Sequence, residues 1–262
     1  MFHTAAQLKA KIRSMPGCYL NKLYYKNELT FSLFWIVIYV WGTSITNILS
    51  LSVGLNNLIT MIYHIVLSLA IFLWIQKMGL MIKYGLCKTS LRLSSMLYYL
   101  PLVAISSCNL WFGVSLNLSL EETVCGVIIM LCVGFLEEII FRGFLFKALA
   151  KNNLRLAVII SSVTFGVGHI INLFNGSGTE LLSNVCQIIY AAAFGLMTVV
   201  IFIKSESLLP CIAAHSIVNV LSVFVVESNI STAAEIIGAV ALTVITVGYT
   251  LYLLNANLQK KQ

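Results

Sequence analysis

Long apolar stretches alternate with short polar connections from residue 31 to the end of the chain. Each stretch has about the length, roughly 20 residues, that a helix needs to cross the hydrocarbon core of a bilayer. We predict membrane-spanning helices at residues 31–53, 58–76, 96–115, 122–148, 154–172, 185–203, 208–226 and 232–255. The pattern therefore predicts an all-α fold, a polytopic membrane bundle of about eight transmembrane helices without a separate soluble domain.

The composition agrees with this interpretation. Hydrophobic residues make up 60% of the 262 residues and charged residues only 10%, whereas about 25% of the residues of a soluble domain are charged. The seven cysteines are an odd number, and most of them lie within apolar stretches. They indicate small buried apolar positions rather than a disulfide framework, and no CxxC pair indicates zinc or redox chemistry.

Basic and acidic connections alternate along the chain. Lysine and arginine occur in every second connection, at residues 1–30, 77–92, 147–155, 204 and 260–261. The other connections contain neither, and they lie at residues 54–57, 115–122, 172–184 and 227–231. Every basic residue except Arg142 thus lies on one face, which predicts that both termini are cytoplasmic. The net charge of +7 reflects this topology, and we predict no nucleic-acid partner.

Six polar side chains interrupt the apolar pattern of three later helices: Glu137, Glu138, Arg142, His169, His215 and Asn219. An ionisable group within a bilayer costs at least ~2.5–3.5 kcal/mol on insertion scales, so it usually marks a functional site. At ~1.5 Å per helical residue, four of the six lie about 14–21 Å from the cytoplasmic boundary. These four are Glu137, His169, His215 and Asn219. We therefore expect the three helices to share one cavity that holds water or polar partners.

Helical spacing assigns a face to most of these residues. Glu138 and Arg142 are four residues apart, so they can form an ion pair on one face of the fourth helix. Glu137 is rotated about 100° from Glu138 and is left to face the cavity. His215 and Asn219 are also four residues apart, and they present an imidazole and an amide to one point.

These side chains suit the hydrolysis of an amide bond. A carboxylate can act as general base toward water, and a histidine can hold that water or relay a proton. A second histidine and an amide can donate hydrogen bonds to the developing oxyanion. A zinc ion held by a glutamate and two histidines is an alternative, although the chain has no HExxH motif. A proton-coupled transporter is another. His64 is interpreted as an interior histidine without a polar companion.

The order of these motifs resembles a known family. Glu137-Glu138-x-x-x-Arg142, Phe165-x-x-x-His169 and His215-x-x-x-Asn219, on three hydrophobic helices, are similar to the motifs of the CPBP (Abi) family of intramembrane proteases. That family includes the CAAX prenyl endopeptidases of the Ras-converting type and bacterial proteins linked to bacteriocin self-immunity. The resemblance covers residues of about 122–226. It implies helices around a conical, water-filled cavity that opens toward the cytoplasmic side or the lipid.

The resemblance also implies a role for each residue. Glu137 would activate the water with the assistance of His169, and the neighbouring ion pair would support Glu137. His215 and Asn219 would form the oxyanion site. A metal-free glutamate mechanism without a cofactor fits these residue types better than a metalloprotease mechanism, and the zinc alternative stays open.

The predicted organisation follows from these motifs. It comprises a cytoplasmic basic arm (1–30), N-terminal transmembrane helices (31–120), a catalytic core (121–226), and a last helix with a cytoplasmic tail (227–262). Expected partners are the lipid bilayer and a peptide or membrane-protein substrate, in a prokaryotic plasma membrane. A peptide pheromone, a bacteriocin-like leader or a membrane-anchored regulatory protein would suit the prokaryotic branch. The alternative function is a non-catalytic membrane immunity or regulatory partner.

Overall fold

The computed structural model describes residues 19–54, 57–111, 113–174, 180–225 and 231–257. Most of the predicted basic arm, at residues 1–18, and the end of the tail, at residues 258–262, lie outside the described residues. The helices are α1 (Tyr19–Lys26), α2 (Glu28–Ser52), α3 (Leu58–Lys77), α4 (Leu93–Met96), α5 (Leu100–Ser106), α6 (Leu120–Ala150), α7 (Leu154–Leu173), α8 (Leu181–Ser205), α9 (Leu209–Ser222) and α10 (Thr232–Asn255).

Six of the described helices are long and apolar enough to cross a membrane, namely α2, α3, α6, α7, α8 and α10. α9 is a shorter apolar helix. Large apolar side chains such as Val37, Ile45, Val66 and Val244 are exposed on the outside of the bundle, where lipid rather than water suits them. The predicted all-α membrane fold is confirmed. α9 and the helical segments over 93–110 correspond to the other two predicted crossings.

The third predicted helix, at residues 96–115, is not a single regular helix. The chain forms α4, a 3₁₀ turn at Leu97–Tyr99, α5 and a second 3₁₀ turn at Cys108–Leu110. Pro101 lies in the first turn of α5, and its missing N–H and bulky ring prevent a regular helix from running through this point. The prediction therefore located an apolar segment correctly but missed its interruption.

Polar caps fix where several of the long helices begin. Asn27 caps α2 by accepting from two backbone N–H groups, and Asn153 and Ser231 cap α7 and α10 by accepting from one N–H group each. α6 begins with a reciprocal capping box, in which Ser119 and Glu122 satisfy each other's backbone N–H groups. Since the first turn of a helix leaves its N–H groups unpaired, these side chains set the helix boundaries.

Two glycines allow the helices around the site to pack closely. A Cβ atom on Gly134 of α6 would lie 2.7 Å from the backbone nitrogen of Ser216 on α9. A Cβ atom on Gly166 of α7 would lie 2.6 Å from the carbonyl oxygen of Ile188 on α8. Gly134 lies one helical turn before the glutamates, and Ser216 directly follows His215, so the first contact places His215 beside α6 at the glutamates.

An ion cluster joins the helices at the basic end of the bundle. Glu28, at the start of α2, contacts Nζ of Lys83 at 2.7 Å and Nζ of Lys151 at 2.8 Å. Lys83 also donates to the hydroxyl of Tyr24 on α1 at 2.7 Å. The cluster thereby links α1, α2, the connection after α3 and the residue that follows α6.

Candidate active site

The middle of α6 departs from regular α-helical geometry. Residues Glu138–Phe146 form a π-helical segment, and all of them are buried. Ser161 of α7 is buried as well, and it donates to the carbonyl oxygen of Phe141 at 3.0 Å. π-helical turns often occur at functional sites. The two glutamates lie at the junction where this segment begins, Glu137 being the last α-helical residue before it.

Glu138 and Arg142 form the predicted ion pair. Nη1 of Arg142 lies 3.3 Å from Oε1 of Glu138, and both side chains are fully buried. The guanidinium carbon of Arg142 also lies 4.0 Å from the centre of the Phe165 ring, a cation–π contact with α7. The arginine therefore joins α6 to α7 beneath the site.

His215 lies between the two glutamates. Its Nδ1 is 2.9 Å from Oε1 of Glu138, and its Nε2 is 3.4 Å from Oε2 of Glu137. The rings of Phe165 and Phe194 pack against the imidazole, with centroid distances of 5.6 and 5.2 Å. A neutral imidazole has one N–H, so both contacts are hydrogen bonds only when this group of three side chains carries an additional proton.

Tyr39 of α2 holds the other oxygen of Glu137. Its hydroxyl donates to Oε1 of Glu137 at 2.6 Å, and the Glu137 side chain remains 13% exposed. The sequence analysis did not single out Tyr39. The available signal was a tyrosine well inside an apolar helix, away from the interfacial belt where tyrosine is common. The rest of the contact depends on which helices pack together.

His64 of α3 is fully buried, as expected of an interior histidine, and it has polar contacts. Its Nδ1 lies 2.8 Å from the carbonyl oxygen of Thr60, and its Nε2 lies 3.3 Å from Oγ1 of Thr43 on α2. The ring packs edge-on against Tyr39. The prediction that it lacks a polar companion was wrong, because Thr43 belongs to a different helix and helical spacing could not reveal it.

His169 and Asn219 also line the cavity beside Glu137. The backbone tightens into a 3₁₀ turn at His169, and Nδ1 of its ring lies 3.1 Å from the carbonyl oxygen of Phe165. Because a carbonyl can only accept, Nδ1 carries a proton in this contact, and in the neutral ring Nε2 is an acceptor. Asn184 of α8 donates to the His169 carbonyl at 2.8 Å. Asn219 lies on α9, one turn beyond His215.

These residues line one cavity of about 600 Å³. It brings together the four predicted residues and the two that the sequence analysis missed or misjudged: Glu137, His169, His215, Asn219, Tyr39 and His64. Glu138 and Arg142 are not among the lining residues, and they support the wall from behind. The predicted fourth, fifth and seventh crossings correspond to α6, α7 and α9. The expectation that these three helices share a polar cavity agrees with the arrangement of these side chains.

A metal-binding arrangement was one of the alternatives left open by the sequence. Among the residues that the structure describes, no group of three or more His, Cys, Asp or Glu side chains is arranged to hold a metal ion. Both ring nitrogens of His215 face glutamate oxygens instead. The zinc alternative stays a prediction that binding measurements can test.

Comparison with known families finds a match over the central part of the chain. Residues 119–221 match a family model described as type II CAAX prenyl endopeptidase Rce1-like. This range covers α6 to α9 up to Leu221, and it contains all six polar residues selected from the sequence. The match confirms the resemblance to the CPBP family. No curated protein and no solved structure matches the chain.

Proposed function

We propose, from the Rce1-like match of residues 119–221, that this chain is an intramembrane endopeptidase that hydrolyses a peptide bond of a membrane-associated peptide or protein. The observation that carries the proposal is the environment of Glu137. Its carboxylate lines a cavity among membrane-spanning helices, and it contacts both His215 and Tyr39. A carboxylate in this setting is better suited to activating water than to holding helices together.

Glu137 acts as the general base. The hydroxyl of Tyr39 fixes Oε1, so that Oε2 is directed toward His215 and the cavity. A water molecule beside Oε2 loses a proton to Glu137 as its oxygen attacks the carbonyl carbon of the substrate. His169 assists, because its Nε2 is an acceptor that can orient the same water.

His215 and Asn219 stabilise the tetrahedral intermediate. The amide of Asn219 is one donor on the cavity wall. His215, one helical turn earlier on α9, is the second donor through Nε2 when its ring carries the additional proton, because Nδ1 is already held by Glu138. Donors that are already oriented stabilise the oxyanion without reorganisation during the reaction. Glu138 holds Nδ1 of His215 and is itself held by Arg142, so this ion pair positions the imidazole.

Collapse of the intermediate completes the hydrolysis. The carbon–nitrogen bond breaks, and the proton taken up by Glu137 is delivered to the departing nitrogen, which leaves as an amine. The other product is a carboxylic acid that retains one oxygen from water and loses its remaining proton to solvent, which gives the carboxylate. The carboxyl group of Glu137 returns to its starting state, so the reaction consumes only water and needs no covalent enzyme intermediate.

Peptide profiling of membranes tests this proposal. Cells that produce the wild type should release peptides that are absent from cells producing Glu137→Gln, a change that keeps the shape of the side chain and removes its basic carboxylate. Glu121→Gln is the matched control, since Glu121 is an exposed glutamate in the first turn of the same helix. Identical peptide sets from wild type and Glu137→Gln would favour the non-catalytic immunity or regulatory function instead.

The orientation in the membrane is part of the proposal. Both termini lie on the cytoplasmic side of a prokaryotic plasma membrane, with the Glu28–Lys83–Lys151 cluster at the cytoplasmic end of the bundle. The support is the alternation of basic and acidic connections, because lysine and arginine near helix ends set topology.

A further inference from the structure

The cavity occupies only one half of the helical bundle. On α2 the lining runs from Tyr39 to Asn47, near the helix end at Ser52. On α3 it stops at His64, within the first two turns, although this helix continues to Lys77. α8 contributes residues only up to Phe194, whereas the helix ends at Ser205. Each of these helices thus lines the cavity with the half that lies away from the basic connections.

Buried side chains fill the other half of the bundle. Ile75 of α3, Phe144 of α6 and Phe202 of α8 are almost completely buried, and so are Tyr84 and Leu208 in the adjoining connections. Close-packed side chains of this kind leave no passage for a peptide. The cavity is therefore closed at the end of the bundle that carries the Glu28–Lys83–Lys151 cluster.

The lining reaches the opposite end of the bundle. There it includes Asn57 before α3, the exposed ring of Trp111, Val225 after α9 and Glu235 in the first turn of α10. All four lie within, or at most four residues from, the connections whose sequences contain no lysine or arginine. The resemblance to the CPBP family implied an opening toward the cytoplasmic side or the lipid, and the lining residues point to the other face.

Of the residue types aspartate, glutamate, lysine and arginine, the described cavity wall contains only glutamate. Glu137 lies deep in the cavity and Glu235 lies near its mouth, and the described lining residues include neither lysine nor arginine. Arg142 lies behind the wall and is paired with Glu138. A peptide that ends in a free carboxylate near the cleaved bond would meet these carboxylates and neither lysine nor arginine, which disfavours its entry.

Amide side chains provide the remaining polarity of the wall. They come from five different segments: Asn47, Asn57, Asn109, Asn172 and Gln187, with Asn219 close to the glutamates. Asn47, Asn109, Asn172 and Gln187 already hydrogen-bond to protein groups, so these amides make the wall polar without adding charge. The wall away from the glutamates therefore suits an uncharged stretch of chain.

We infer that the cavity is entered from the extracytoplasmic face and takes a neutral or cationic polypeptide segment rather than an anionic C-terminal tail. The entry side follows from the lining residues and from the proposed topology. The identification of the segment as a substrate rests on the proposed peptidase function. The entry side and the charge preference can be measured without any hydrolysis, so their failure is distinguishable from failure of the proposed function.

Thiol labelling from each side of the membrane tests the entry side. Ser44→Cys introduces a reporter on the cavity wall, and Ile45→Cys at the next position of α2 is the matched control, since Ile45 is exposed on the outside of the bundle. The natural Cys87, in the basic connection after α3, reports on the other face. A membrane-impermeant cationic methanethiosulfonate is added to spheroplasts or to inside-out vesicles, and peptide mapping identifies the labelled cysteine.

The expected result separates the two faces. Ser44→Cys should react in spheroplasts and not in inside-out vesicles, Cys87 should show the reverse, and Ile45→Cys should react in neither because it faces lipid. Labelling of Ser44→Cys and Cys87 from the same side would overturn the inferred entry side. Because the native cysteines are retained, the variant differs from the wild type by a single oxygen-to-sulfur exchange.

The charge of the reagent tests the ligand preference. At Ser44→Cys, the rate with a trimethylammonium methanethiosulfonate is divided by the rate with a sulfonate methanethiosulfonate, and the ratio is normalised to the same ratio for 2-mercaptoethanol. A carboxylate-lined cavity should favour the cation by about tenfold or more, and Glu235→Gln should reduce the ratio. A ratio near one, or a preference for the sulfonate, would contradict the inference that an anionic tail is excluded.

Discussion

Nε2 of His215 lies 3.4 Å from Oε2 of Glu137, although the two residues come from different helices. The contact depends on Gly134, whose missing side chain lets α9 approach α6 beside His215. It connects the base proposed to activate water with a donor proposed for the oxyanion.

Replacement of His215 should impair hydrolysis severely. His215→Gln removes the imidazole that contacts both glutamates, and turnover should fall by about 10²-fold or more. The adjacent Ser216→Ala change should retain most activity, because no serine is used as a nucleophile. Turnover of a peptide identified by profiling provides the measurement. A Ser216→Ala variant as inactive as His215→Gln would argue for a serine mechanism.

The hydroxyl of Tyr39 should contribute to catalysis through Glu137. Tyr39→Phe removes a 2.6 Å hydrogen bond to the carboxylate, and a bond to a charged group of this kind corresponds to about a 10-fold to 100-fold loss of turnover. Tyr63→Phe is the matched control, since Tyr63 donates to the Ile38 carbonyl at 2.6 Å and does not hold the glutamate. Equal losses in the two variants would mean that Tyr39 acts only through packing.

Breaking the buried ion pair should destabilise the fold. Glu138→Gln leaves the guanidinium of Arg142 without its counter-charge in the interior, which costs about 3–5 kcal/mol. The double variant Glu138→Gln/Arg142→Met should recover much of this loss, because neither charge is then buried unpaired. Thermal unfolding of the detergent-purified proteins measures both effects. A double variant no more stable than Glu138→Gln would show that the pairing of these charges is not what stabilises the site.

Gly166 should be far less replaceable than Gly168. A methyl group at Gly166 would clash with the carbonyl oxygen of Ile188, whereas the nearest atom to one at Gly168 is 4.0 Å away. Gly166→Ala should therefore lower stability by about 1–3 kcal/mol, and Gly168→Ala should leave the unfolding temperature nearly unchanged. Equal stability of the two variants would contradict the close packing of α7 against α8.

The sequence predicted those features that depend on local periodicity. Apolar length identified the helices, and the i to i+4 spacing predicted the contact between Glu138 and Arg142. The depth of His215 within its helix predicted that it would share a cavity with Glu137. The first two features depend on the residues of a single helix. The shared cavity was predicted from the depth of each polar residue in the membrane, which can be estimated by counting residues along each helix.

Features that depend on helix packing were not predictable in this way. Tyr39 and the partner of His64, Thr43, lie on α2, and no pattern within α2 indicates that it faces α3 and α6. The sequence analysis did not identify the π-helical segment at Glu138–Phe146. The position of the cavity in one half of the bundle depends on lining residues from several helices and connections, and the sequence does not show how these pack together.

The central claim is that Glu137 activates a water molecule for peptide hydrolysis. The most direct measurement is the reaction of the purified protein with a profiled peptide in water enriched in oxygen-18. We predict that the wild type and Glu121→Gln yield a product whose new carboxylate carries one heavy oxygen, and that Glu137→Gln yields no product. Labelled product from Glu137→Gln at the wild-type rate would contradict the account.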